Sequence, residues 1–264
     1  MPGPDVGAPV VDLLGGKVRD AVPYSAYLFF RYAEHIDKPY APDAWGEGIS
    51  PAQIVAQAQR MLGLYGFQSI KLKGGVYEPA HEMACMQALA QAFPGLPLRL
   101  DPNANWSLAT NMVITTMEDF RKGCEMGSVK VLLSDHHHWG GLRITQTLAR
   151  MCQLWGLGMS MHSNSHLGIS LMAMTQVAAS LPNLTYACDT HYPWQEEEVV
   201  KGCRIHLDKG SVVVATAPGL GVELDHAALA RLHGQYLECG VRNRNDLAQM
   251  RRYDPSFSGK TPGF

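Results

Sequence analysis

Short apolar runs that end on charged or amide side chains alternate along this chain with segments of helical period, and this alternation narrows the choice of fold more than any other feature. The strand-like runs lie in VPYSAYLFF, SIKLKGG, PLRLDPNAN, LATNMVITT, VKVLLSD, GLGMSMHSN and LTYACDTH. Between them, SPAQIVAQAQRMLGLYG opens with Ser50 and Pro51 as cap and first-turn residue and repeats its apolar positions at helical spacing. PAHEMACMQALAQAF, MEDFRKGCEMG, LRITQTLARMCQLWG and LGISLMAMTQVAASL read likewise. Strand and helix in alternation imply right-handed βαβ units around a parallel sheet. The runs finish on Lys71 and Lys73, Asp101 and Asn103, Asn111, Asp135, His162 and Asn164, and Asp189 and His191. A closed parallel barrel gathers all such ends on one rim, whereas an open sheet uses a single switch point. Polar tips on nearly every strand favour the α/β class and a (β/α) TIM-type barrel.

The spacing of the tips shows a gap. Lys73 to Asp101 is 28 residues, Asn111 to Asp135 is 24, and Asp135 to His162 and His162 to Asp189 are 27 each, one βα unit per step. Asp101 to Asn111 is only 10 residues, too few for a parallel crossover, which takes a dozen or more. The expected barrel is therefore incomplete, with about seven of eight strands. Residues 22–237 are assigned to it, 1–21 to a linker leading in, and 238–264 to a C-terminal extension.

In SIKLKGG, Ile70 and Leu72 alternate with Lys71 and Lys73, which sends both ammonium groups to one face of a strand, about 6–7 Å apart. Either this is a solvated basic edge, or one cation depresses the pKa of the other and makes an amine able to take a proton near neutrality. Asp101 and Asn111 offer oxygen ligands suited to magnesium. Lys73 can then serve as a base on one side of a bound carboxylate substrate, and His162, oriented by Asp135, on the other; the cation acidifies the proton between them. Asp189 is open to a site role or to pairing with a neighbouring cation. Bland readings cover the rest. His136, His137 and His138 are adjacent and point in different directions, His166 is a cap or packing residue of the next helix, Gly74 and Gly75 are a turn, and Glu196, Glu197 and Glu198 are a solvated face.

The net charge of −2 carries no basic excess for nucleic acid, and the longest apolar runs fall far short of a membrane span. No secretory leader is read at the start, and six cysteines scattered at 85, 124, 152, 188, 203 and 239 suit buried, reduced thiols in a cytoplasmic protein.

SIKLKGG, RLDPNANW, ATNM, SDHHHWGG, MHSNSHLGIS, ACDTHYPWQEE and APGLGVELD together resemble glucarate dehydratase and its relatives in the enolase superfamily, of the mandelate racemase and muconate lactonizing type. The resemblance runs from about Val10 to the C-terminus, broken at the short step after Asn105, and DLLGGKVRDAVPYSAYLFF resembles the passage from that family's capping domain into its first barrel strand. It implies magnesium-dependent loss of water from D-glucarate or a related hexarate, giving a keto-deoxy diacid. It makes Lys73 one base, His162 with Asp135 the opposite one, and Asp101 and Asn111 metal ligands. Lys71 would contact the substrate carboxylate and lower the Lys73 pKa, while Tyr27, Asn103, Ser163, Asn164, His191 and Arg244 would bind substrate. Two departures stand out. The family's third ligand, a glutamate, belongs to the strand that is missing here, and its capping domain is essentially absent.

Other readings stay open. A catalytically inactive truncated homologue, or a subunit that folds beside another copy in a homo-oligomer, is the main alternative. A Schiff-base aldolase using Lys73 is a second. A zinc-dependent hydrolase built on the histidines is disfavoured, because no His-x-His pair lies on a strand.

Overall fold

A computed structural model of the protein describes residues 6–34, 43–101, 109–110, 114–127, 129–202, 204–240, 243 and 245–258. After a short helix, α1 (Val10–Leu13), and strand β1 (Ala21–Pro23), the chain runs β2 (Ala26–Phe29), α2 (Pro51–Tyr65), β3 (Ile70–Lys73), α3 (Pro79–Ala92) and β4 (Leu98–Asp101). It continues through β5 (Ala109–Thr110), α4 (Met117–Glu125), β6 (Val131–Ser134), α5 (Leu142–Leu154), β7 (Gly158–Met161) and α6 (Gly168–Ala179), then β8 (Ser211–Val213), α7 (His226–Cys239) and α8 (Asp246–Tyr253).

Local chemistry sets the helix ends. Ser50 and Gln53 form a reciprocal capping box at the start of α2, Pro51 occupies its first turn, and Gly66 closes it in the left-handed region at φ 67°. Thr116 caps α4 through the Asp119 amide, and Asp225 caps α7 through Ala227 and Ala228.

Two parallel sheets, β2-β3-β4 and β5-β6-β7, carry the site. They are joined through residues 184–189. Thr185 N donates to Met159 O and Asp189 N to Met161 O on one side, while Ser25 N donates to Cys188 O and Cys188 N to Pro23 O on the other. The parallel array is thus an arc of seven segments, and among the described residues no ladder joins β4 to β5. This seam falls where the sequence runs ten residues between strand tips. β1 and β8 pair antiparallel at the opposite end of the strands.

The period-2 pattern divides the two faces of β3. Ile70 and Leu72 belong to the apolar core with Ile54, Met61, Cys85 and Leu89 of the flanking helices. Lys71 and Lys73 face the barrel interior, in register with Tyr27 and Phe29 on one side and with Arg99 and Asp101 on the other. Interior positions that aliphatic side chains fill in most barrels are here ionic.

Five cysteines are free thiols among the described residues: Cys85, Cys152 and Cys188 are buried and Cys124 half-buried, but Cys239 is exposed, unlike the expectation; Cys203 lies outside them. No helix among them is long and apolar enough to cross a membrane.

Gly210 is the tightest backbone approach between α2 and the strands. At φ 72° its N–H donates to Tyr65 O while its carbonyl accepts from Tyr24 N, and an added Cβ would lie 2.6 Å from Phe67 Cα. Gly210→Ala is expected to lower stability by about 1–3 kcal/mol. Gly234→Ala, inside α7 with open space around it, should raise it by up to about 1 kcal/mol. Urea unfolding midpoints check both; an unshifted midpoint in Gly210→Ala would refute the close-approach argument.

Candidate active site

The C-terminal ends of β2, β3 and β4 hold one half of the site. Lys71, 1% exposed, forms an ion pair with the fully buried Asp189 and a second with Asp101 Oδ2 at 2.9 Å. Lys73 Nζ donates to the same Asp101 oxygen at 2.9 Å. Arg99 donates to the other Asp189 oxygen at 2.7 Å and also reaches Ser25 Oγ and Ala187 O. The Lys71 ammonium sits 4.4 Å above the Tyr27 ring, which stacks on Phe29 and meets His191 edge-on at 4.7 Å.

Burial alone would raise the carboxyl pKa of Asp101, but Lys71 and Lys73 hold it well below the usual range. Asp189 is kept ionised in the same way by Lys71 and Arg99 against complete burial. The Lys73 amine is lowered, chiefly by burial. Asp101 opposes that shift, and Lys71 adds a smaller lowering contribution. Desolvation is thus a larger cause than the neighbouring lysine, which spacing alone points to.

The second half lies at the ends of β6 and β7. Asp135 Oδ2 accepts from His162 Nδ1 at 3.3 Å, which leaves Nε2 as the basic nitrogen of that ring. Asp135 Oδ1 accepts the His137 backbone N–H at 2.9 Å and faces the His137 ring Nδ1 at 2.9 Å. Burial opposes the ionisation of Asp135, yet the His162 and His137 contacts hold its carboxyl well below the ordinary range. Burial pushes His136 down to about 4, and His166 and His191 to about 3. His162 lies near enough to influence Asp189 and His191 electrostatically, so the two halves adjoin through those residues.

Of the residues singled out in the sequence, Lys71, Lys73, Asp101, Tyr27 and His191 converge in the first half, and Asp135 and His162 in the second. Ser163 is buried beside His162 with its hydroxyl on Asn164 O, and Asn164 itself is exposed. Asn103, Asn111 and Arg244 lie outside the described residues. Asp189 is an ion-pair partner of Lys71 and Arg99. Arg99 was missed, although its register opposite Lys71 follows from the alternation in PLRLDP. Gly74 and Gly75 do lead a turn, with Gly75 at φ 79°, and the Gly75, Val76 and Tyr77 N–H groups all donate to the Glu82 carboxylate.

Three bland readings need correction. His166 does not cap α6, since Glu198 does so by accepting from Gly168 N at 2.9 Å, but it is buried against the His136 and His137 rings as the packing alternative had it. Glu196 and Glu197 are exposed as expected, but Glu198 is thereby turned inward and is no spare metal ligand. Adjacent His136 and His137 do not diverge: their rings lie 4.0 Å apart, and both approach His166.

Comparison with known proteins places the chain. The family model for the enolase C-terminal domain-like fold matches residues 53–112 and 107–228. A probable glucarate dehydratase from Streptomyces coelicolor is 48% identical over 296 residues, covering 97% of this chain and 68% of the relative. That alignment is longer than the 264 residues here, so the relative carries segments this chain lacks. Among solved structures, an enolase from Pseudomonas fluorescens with bound magnesium, potassium and tartrate superposes with a TM-score of 0.94 at 54% identity, covering 98% of this chain and 70% of that one. An enolase from Mycobacterium smegmatis complexed with tartrate does so at 0.92 and 48%, covering 98% and 71%.

Two predictions follow from the electrostatics. Asp189→Asn leaves Lys71 with Asp101 as its one carboxylate among the described residues and Arg99 with Ser25 and Ala187, and should cost about 3–5 kcal/mol. Adding Lys71→Met should recover part of the loss, so a urea double-mutant cycle reads a coupling and strict additivity would refute it. His191 is held neutral, with a folded pKa of about 3 against an ordinary 6.5. The unfolded chain therefore binds the extra proton between those values, and stability contributed above pH 6.5 is lost as pH falls toward 3. His191→Phe should flatten that part of the stability–pH profile, measured as urea midpoints at neutral and mildly acidic pH.

Proposed function

The chain belongs to the enolase superfamily, and we propose that it is a hydro-lyase of the glucarate dehydratase type, removing water from D-glucarate or a related hexarate to give a keto-deoxy diacid. The observation that carries this reading is the convergence of a desolvated lysine and a carboxylate-oriented histidine at the same ends of one parallel array. Kinship with a probable glucarate dehydratase, and with enolases that bind tartrate, supports a small hydroxy-diacid as the substrate class.

The donors of the first half fit a hard cation. Asp101 is an ionised carboxylate at a strand end, and Asn111, assigned from sequence, would add an amide oxygen. Magnesium prefers such oxygen ligands and retains waters. Bound there, the ion would supply the positive charge that acidifies the proton α to a substrate carboxylate. The imidazoles around Asp135 suit it poorly.

The remaining work falls to side chains. Lys71, fixed by Asp189, presents an ammonium to the substrate carboxylate beside Tyr27. Lys73, whose amine gives up its proton more readily because it is desolvated, removes the α-proton. His162, held by Asp135, stands as acid to protonate the departing hydroxyl, or as base when the configuration at carbon is reversed. Asn103, Ser163, Asn164, His191 and Arg244 are proposed as further substrate contacts.

Incubation with D-glucarate and magnesium should yield the keto-deoxy diacid, and Lys73→Ala should cut kcat by about 10²–10⁴ while leaving the fold intact. Unchanged turnover in that variant would overturn the assignment of the base. No turnover by folded protein at any magnesium concentration would replace the reading by an inactive homologue, a reading favoured by the seam between β4 and β5 at the metal-binding side. A borohydride-stable adduct of a keto acid on Lys73 would replace it by the aldolase.

A further inference from the structure

His166 is 6% exposed, and neither of its ring nitrogens has a hydrogen-bond partner among the described residues. Buried polar atoms in native proteins are nearly always satisfied by protein, water or an ion. Its Nε2 lies 3.9 Å from Asp135 Oδ2, and its ring meets that of His137 edge-on at 4.7 Å. One ligand atom from each of Asp135, His137 and His166 falls within 4.8 Å of the others.

We propose that Asp135, His137 and His166 form a second cation site, selective for a borderline divalent transition metal such as zinc over magnesium. Two imidazoles and one carboxylate match the donors that zinc takes, with bonds of about 2.0–2.2 Å. Magnesium, which demands oxygen, is poorly served by them. His137 Nδ1 is already 2.9 Å from Asp135 while His166 Nε2 is 3.9 Å away, so the adjustment on binding falls mainly to the His166 ring.

The surroundings support this. His137 Nε2 lies 3.0 Å from Ser170 Oγ. Without metal, Nδ1–H donates to Asp135 and Nε2 accepts from the hydroxyl. With metal, the proton sits on Nε2 and donates to Ser170, freeing the Nδ1 lone pair, with no net proton gained or lost. Such outer partners orient ligating histidines. The His137 side chain is 47% exposed, which gives an ion a way in and leaves a fourth position open to water. Asp135 Oδ2 also faces His162, so a cation here competes with that pair. This consequence rests on the function proposed above; the site itself does not.

The test is titration of the chelator-treated protein with cobalt(II), read by its visible d–d absorption, and with zinc by calorimetry, both in millimolar magnesium. One equivalent should bind in the micromolar range or tighter. His137→Ala and His166→Gln should each weaken binding at least about tenfold, Ser170→Ala should do so by about tenfold, and His138→Ala should leave it unchanged. Circular dichroism would verify folding, and the exposed position of His137 keeps that variant informative if His166→Gln misfolds. Folded wild-type protein that binds neither ion in the presence of magnesium, or affinity equal in wild type and His137→Ala, would overturn the site.

Discussion

The Lys71–Asp189 ion pair at the centre of the barrel interior is the interaction on which the arrangement of the first half depends. An unpaired charge at that depth costs several kcal/mol, so losing either partner is costly even though each has a second one. Asp189 also receives Arg99, and Lys71 also receives Asp101, so four groups from β3, β4 and the segment after residue 184 must be in register together. The register is fixed from outside, by Ile70 and Leu72 packing against α2 and α3; a one-residue slip would bury the ammonium groups among aliphatic side chains. Lys73 is the third cation facing two carboxylates. Its amine is lowered chiefly by burial, with Lys71 adding a smaller push, while the carboxylates that secure Lys71 act in the opposite sense.

The second half is organised differently. Asp135 is buried without an ammonium or guanidinium partner among the described residues, and its charge is met by one backbone N–H and the imidazoles around it. Imidazoles can change tautomer or give up a proton, whereas the lysine–aspartate pair cannot rearrange without breaking. The first half is therefore suited to positioning, and the second to hydrogen-bond exchange.

Much of this was legible in the sequence, and the limits have identifiable causes. Alternation located every described strand of the parallel array, and the short step from Asp101 to Asn111 located the seam, because chain geometry forbids a crossover in ten residues. Lys71, Lys73, Asp101, Asp135 and His162 stood out as polar ends on apolar strands. Arg99 did not, since an arginine between two leucines reads equally well as a solvated edge until its neighbour across the ladder is known. His166 was hidden for the opposite reason: a histidine just before a helix resembles a cap, and only the position of Glu198 thirty residues later shows that the capping role is already filled. Burial as the main cause of the lowered Lys73 pKa was likewise beyond spacing, which reports neighbours and not depth.

The seam also bears on which part of the chemistry the chain retains. β4 has a ladder partner on one side, β3, yet it is held from within as well, because Arg99 reaches Ser25, Ala187 and Asp189 across the interior. Asp101 is fixed by two lysines on the same inner side. Lys71, Lys73 and Asp101 are thus anchored by contacts that do not pass through the strand expected beside β4. A cation held at Asp101, as proposed above, would not be insulated in this way, because a hard cation needs several oxygen donors and the strand expected to carry one of them would have stood beside Asp101. Under the function proposed above, the lack of that unit would weaken charge stabilisation while sparing the positioning of Lys73 and His162. On that proposal a base would still reach the proton to be abstracted but the proton would be less acidified, so the deficit would fall on the chemical step more than on recognition of the substrate.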